Sequence, residues 1–103
     1  METFFIRNLG SEVAGVAGAM SKLDFTAAVG YNPNFRRQAV LLAACGSAPV
    51  YVKCVGRSGS APAMSTQNWH LQVPSGQSVL VRATREVDLY LLGSAAYTAL
   101  ELG

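Results

Sequence analysis

The sequence predicts an all-β fold, an antiparallel β-sandwich in a single domain. Three observations predict it. Apolar and polar residues alternate through short runs, most clearly Trp69 to Val73, Val79 to Val81 and Val87 to Leu91. Turn clusters separate the runs, Pro74-Ser75-Gly76-Gln77 among them. After the first two runs, most start about 8–12 residues apart, the spacing of a sandwich or barrel. Half-buried strands of this kind need a second layer over their apolar face, and the rest of the chain must supply it.

Met1 to Ser21 reads in two ways. Phe4-Phe5-Ile6 is a sticky apolar end. Val13, Val16, Ala17 and Met20 recur at helical spacing, with Ser11 placed as an N-cap. Gly10, Gly15 and Gly18 oppose a helix, the inner two at ~1 kcal/mol each. The segment is either a short helix or an extended arm that gains order on a neighbouring subunit. The chain divides accordingly into an N-terminal arm, 1–21, and a sandwich domain, 22–103.

Leu23, Phe25, Ala27 and Val29 alternate with polar or small residues and form the first full strand. Gly30 to Asn34 ends it, with Asn32-Pro33 marking a turn. Arg37 to Ala44 is apolar on both faces at its centre (Val40, Leu41, Leu42), the pattern of a central strand covered twice. Cys45 to Pro49 turns the chain, and Val50 to Val55 returns as the second arm of a hairpin. Gly56 to Asn68 is a polar loop, and loops longer than ~12 residues are usually functional or mobile. The Trp69 to Leu92 meander follows. Gly93 to Tyr97 breaks it, and Thr98 to Leu102 alternates once more. The total is about seven strands, in a jelly-roll- or Ig-like arrangement.

Hydrophobic residues make up 50% of the 103 residues and charged ones 14%, against a usual ~25% charged. Solubility normally rests on charge, so part of this surface is expected to be covered by a partner. A size of 103 residues allows one real core. The net charge is +2 and scattered, which is no nucleic-acid footprint. Arg36-Arg37, the one adjacent basic pair, reads as solvated beside a strand. The longest apolar run, Ala39 to Cys45, falls far short of the ~20 residues that span a membrane. Glu2 before Phe4-Phe5-Ile6 and Arg7 after it do not make a signal peptide, so the chain is expected to fold in a cytoplasm.

Cys45 and Cys54 lie on either side of the Gly46 to Pro49 turn. In the hairpin register Cys45 faces Val50 and Cys54 faces Leu41, an offset of about 13 Å along the strands. A disulfide needs Cα atoms within ~7 Å, so both are read as buried free thiols. No cysteine or histidine stands at metal-ligand spacing. No cofactor is expected.

Catalytic groups are sparse. His70 is the single histidine, out of phase with Trp69 and Leu71 and without a carboxylate placed to orient it. Glu86 and Asp88 share a strand face, but two acids without a cleft do not make a glycosidase. Gly56-Arg57-Ser58-Gly59-Ser60 lacks the Lys-Ser/Thr and the helix of a phosphate-binding loop. Trp69 reads first as a core or interface anchor and second as a stacking platform for a sugar. No enzymatic activity is expected.

One longer pattern remains. Asn32-Pro33-Asn34-Phe35-Arg36-Arg37 leads into the apolar Ala39 to Ala44 run, and a tight turn and Val50-Tyr51-Val52 follow. Then come Leu71-Gln72-Val73-Pro74-Ser75-Gly76-Gln77-Ser78 and Val87-Asp88-Leu89-Tyr90-Leu91. From Asn32 to Leu102 this resembles small all-β virion structural proteins of tailed bacteriophages, the capsid-decorating (cement) proteins and minor head-tail or tail components. The resemblance implies a non-enzymatic virion protein that binds the major capsid protein and itself, as a homo-oligomer with a trimer favoured. The alternative it leaves open is a tail or head-tail accessory protein with a host-receptor or sugar-binding role. Neither nucleic acid nor membrane is an expected partner. The contact residues expected are Phe4, Phe5 and Ile6 in the arm, Arg57, Ser58 and the loop as far as Met64, and Trp69.

Overall fold

The computed structural model describes the backbone of residues 8–26, 28 and 31–103, and the side chains of 20–26, 28, 31–93 and 96–103. The fold is an all-β antiparallel sandwich. Among the described residues its six strands are β1 (Asn8–Lys22), β2 (Ala39–Ala44), β3 (Val50–Gly56), β4 (Leu71–Val73), β5 (Ser78–Val81) and β6 (Val87–Leu102). Among the described residues there is no helix, hence none long and apolar enough to cross a membrane.

The fold is built on β6. Its first half, Val87 to Leu92, pairs with β3, and its second half, Tyr97 to Leu102, pairs with β2. β1 pairs with both halves on the other side. The two halves of β6, each serving its own layer, bring the count to the predicted seven. The predicted last strand is therefore not separate, because Gly93 lets the chain bend and continue. Its φ is 147°, and a Cβ there would stand 2.9 Å from the Pro49 carbonyl oxygen. Only glycine takes that conformation at that approach.

β2 and β3 both run antiparallel to β6, so they follow one another in the same direction. Together they are one long strand broken at Cys45 to Pro49. They are not the predicted hairpin and do not pair with each other. β4 and β5 repeat the arrangement outside them, broken at Pro74 to Gln77. The breaks are tied together: Gly76 N–H donates to Ala44 O (2.9 Å), Ala44 N–H to Gln77 O (2.9 Å) and Ser75 Oγ to Gly46 O (2.7 Å). β1 carries a register shift on each side of Gly18, which lies opposite Gly93. All the long strands thus bend at one level, and the sheet folds over into two layers along that crease.

The core lies between the layers. Val40, Leu42, Val81 and Ala99 enter it from one layer, and Val50, Val52, Val73, Leu89 and Leu91 from the other. Each fully buried Val or Leu contributes about 1.5–3 kcal/mol relative to exposure. Leu23 and Phe25 close the core after β1 ends.

Several expectations are corrected here. Of the two readings of the N-terminal segment, residues 11–20 follow the extended one, within β1, which continues through residue 21. Leu23 and Phe25 are buried as the alternation predicts, but they do not belong to a strand. The Asp24 carboxylate accepts the Thr26 N–H (2.9 Å) and hydroxyl (2.7 Å) and turns the chain. Ala27 and Val29, like Phe4, Phe5 and Ile6, lie outside the described residues. Both cysteines are free, but Cys45 is exposed and Cys54 half-buried. Trp69 precedes β4 and does not open it. Arg37 is not solvated. It is buried, and so is its partner Glu101.

Candidate functional site

The register of three strands creates an apolar row on the outer face of the sheet. Leu41 of β2 lies opposite Leu80 of β5 on one side and Leu100 of β6 on the other. Their neighbours Val40 and Leu42 turn inward and are fully buried, so the alternation sends Leu41 outward. Leu41 is 36% exposed, and Leu80 and Leu100 are half-buried. On this outer face Leu41 is the exposed member, while Ala39 and Leu102, two residues along their strands, are buried.

Among the described residues the other large apolar side chain in the open is Trp69, 39% exposed. Its ring lies 5.9 Å from that of Tyr51 at 42°, and its Nε1 donates to Thr66 O (3.1 Å). The loop before it is held by Lys53, whose ammonium donates to Ala63 O and Asn68 Oδ1 (2.8 Å each). Ser65 and Asn68 exchange backbone hydrogen bonds (3.1 Å). The loop is thus clasped onto β3. Met64 is half-buried within it.

Arg57 and Ser58 follow β3 at its far end. Arg57 is exposed and 3.9 Å from Glu86; Ser58 donates its N–H to Asp88 (2.9 Å) from a φ of 60°. Tyr51, which carries Trp69, lies roughly 20 Å away along the strand. The predicted contact residues do not converge on one patch. No single stretch of sequence marks the leucine row; its one local signal is Leu41 in a strand apolar on both faces.

A cleft of about 260 Å³ opens beside the segment after β1, lined by Phe25, Tyr31, Arg37, Arg85, Asp88 and Glu101 among others. Its charges are engaged with one another. Glu101 accepts from Arg85 Nε and Nη2 (3.2 and 3.0 Å) and from Arg37 Nη1 (3.4 Å). Arg37 also donates to the carbonyls of Ala83, Thr84 and Val87 at 2.7–2.9 Å. Burial pulls its guanidinium down from the ordinary value, and Glu101 opposes that. Arg85 stacks over Tyr31 at 4.9 Å and Arg37 over Phe25 at 5.8 Å. Lys22 stands 3.4 Å from Asp88. This is a clamp that fastens the 82–86 turn and the 23–38 segment to β6.

The reactive groups are dispersed. His70 Nδ1 accepts the backbone N–H of Cys54 (3.0 Å), so that nitrogen is occupied as an acceptor. The hydrogen bonds from Thr26 hold the Asp24 carboxyl below its ordinary value. Among the described residues no group of three or more His, Cys, Asp or Glu side chains could hold a metal ion. What the arrangement offers, among the described residues, is an apolar row on the outer face with Leu41 exposed between Leu80 and Leu100. No family model matches the chain, and neither does any curated protein or solved structure.

Proposed function

We propose that the protein is a non-enzymatic structural component that docks on another protein through the outer face of β5–β2–β6. The observation that carries this reading is Leu41, flanked by Leu80 and Leu100 and 36% exposed among the described residues. A strand apolar on both faces belongs in a sheet covered on both faces. The missing layer is then another molecule. The resemblance to phage virion proteins supplies the setting: a cement protein, made in the host cytoplasm, that decorates the assembled head and binds the major capsid protein.

The test is reconstitution. Heads lacking the protein should assemble but lose genome at lower temperature or lower ionic strength. Added protein should restore them and saturate at a fixed ratio to the coat protein, because binding to the shell stabilises it by linkage. Leu41→Glu should remain folded and fail to restore them. Equal restoration by Leu41→Glu would remove the outer face from the reading, and equally tight binding to free coat subunits would remove the cement role. A second reading has its own observation, the exposed Trp69 ring. It makes the protein a tail or head-tail accessory with a sugar-binding surface, and a glycan array separates the two.

A further inference from the structure

β1 is the terminal strand of the sheet, and among the described residues its only strand partner is β6. The backbone N–H and C=O groups of a terminal strand's outer edge are a template for pairing with another chain. The opposite edge of the sheet is of another kind. It consists of β4 and β5, three and four residues long, parted by Pro74 to Gln77. Short strands and a proline-led break are devices that block edge-to-edge pairing. β1 has neither of these, and its register shifts lie on either side of Glu12 to Val16. It runs 15 residues without proline, and its only charged residues are Glu12 and Lys22. Its regular part is Glu12 to Val16, paired residue by residue with Leu100 to Ala96.

We infer that this edge is an assembly surface and that its partner is the same edge of a second copy, β1 antiparallel to β1 across a two-fold axis. Two features select a second copy in this orientation. The regular stretch Glu12 to Val16 meets an identical stretch, whereas a join to β4 and β5 would set it against short strands parted by Pro74 to Gln77. That mismatched join would also be heterologous, and without a closing rotation it would propagate into an open filament; the β1–β1 join closes at two. Charge placement agrees. Pairing centred on Ala14 superposes the two regular stretches, with Glu12 opposite Val16 and Val13 opposite Gly15. Like charges, which destabilise directly opposed positions, do not meet. The pair is a dimer, in place of the trimer that the resemblance implies. It does not depend on what the outer face of β5–β2–β6 binds.

The experiment has two arms. Size exclusion with light scattering of the unaltered protein at tens of micromolar should give twice the chain mass. Cross-linking then reads the register, in a chain carrying Cys45→Ser and Cys54→Ala. Ala14→Cys should form a covalent dimer on mild oxidation, because a residue at the two-fold centre faces its own copy with Cα atoms about 4.5–5.5 Å apart, inside the ~7 Å that a disulfide allows. Glu12→Cys alone should not cross-link, and an equal mixture of Glu12→Cys with Val16→Cys should. A monomer or trimer mass overturns the inference without reference to any variant. So does cross-linking of Glu12→Cys alone as fast as that of Ala14→Cys.

Discussion

Arg37 and Glu101 stand 64 residues apart in the chain and meet at 3.4 Å, where neither side chain keeps more than 7% of its surface. The two do different work. Glu101 is held more closely by Arg85, through two bonds, than by Arg37. Arg37 spends most of its donors on three carbonyls, two in the 82–86 turn and that of Val87 at the start of β6. Only a planar fork with five N–H groups reaches all of them at once.

Removing either member leaves buried polar groups unmatched. Arg37→Ala and Glu101→Ala should each cost about 3–5 kcal/mol. Arg37→Lys should keep the charge and still recover less than half of the loss, because an ammonium cannot satisfy this fork. Arg37→Met combined with Glu101→Leu should cost clearly less than the sum of the single changes. Urea unfolding of the set measures this, and strict additivity would show that the pair is not coupled.

Gly93 and Gly76 both have positive φ, 147° and 74°, but only Gly93 is crowded. Gly93→Ala adds a clash with Pro49 O to a strained backbone and should cost about 1–3 kcal/mol. In a domain of this size each kcal/mol lowers the melting temperature by roughly 4–8 °C. Gly76→Asn, in open space and in a conformation asparagine tolerates, should lower it far less. Calorimetry of the two variants provides the comparison.

The two thiols should separate by rate. Titration of denatured, unreduced protein should count two. In the folded protein, exposed Cys45 should react with a thiol reagent quickly and half-buried Cys54 slowly. Burial pushes the Cys54 thiol up from its ordinary value, so the fold favours the neutral form. The sign follows: its contribution to stability is present below the unfolded pKa and is lost as pH rises through the folded one. Melting temperature should therefore fall on the alkaline side, and Cys54→Ala should flatten that part of the profile.

Leu41→Glu and Leu80→Glu place charge on an open face, so each should change unfolding free energy by less than ~1 kcal/mol. The same changes should abolish binding to the assembled shell in a pull-down. Leu42→Glu, one residue away on the inner face, should prevent folding. A large loss of stability from Leu41→Glu would mean that the row belongs to the chain's own core.

Much of the sandwich was legible because alternation survives wherever one face is buried. Val50, Val52, Val73, Leu89 and Leu91 point where their phase says. Pairing was less legible. A short turn between two apolar runs reads as a hairpin, but β2 and β3 instead line up along β6, whose 16 residues offer both of them partners. In Thr98 to Leu102 hydropathy favours Leu100 and Leu102 as the inner face. The structure turns Ala99 and Glu101 inward, because two arginines from distant segments neutralise the acid, while Leu102 is buried on the other face and Leu100 half-buried. A lone carboxylate in an apolar strand was the available signal, and no local pattern names its partners. The leucine row needs the registers of three strands at once, and no single segment carries them.

The position of β6 also bears on how the molecule is made. It is the last of the six strands to leave the ribosome, yet β1, β2 and β3 all hydrogen-bond to it. Until it emerges, the earlier strands lack the neighbour that orders them, and the partner of Arg37 does not yet exist. Such non-local pairing slows folding into the millisecond-to-second range. The order of synthesis thus puts the strand that joins the two layers after every strand it joins, and the sheet closes only once β6 is available.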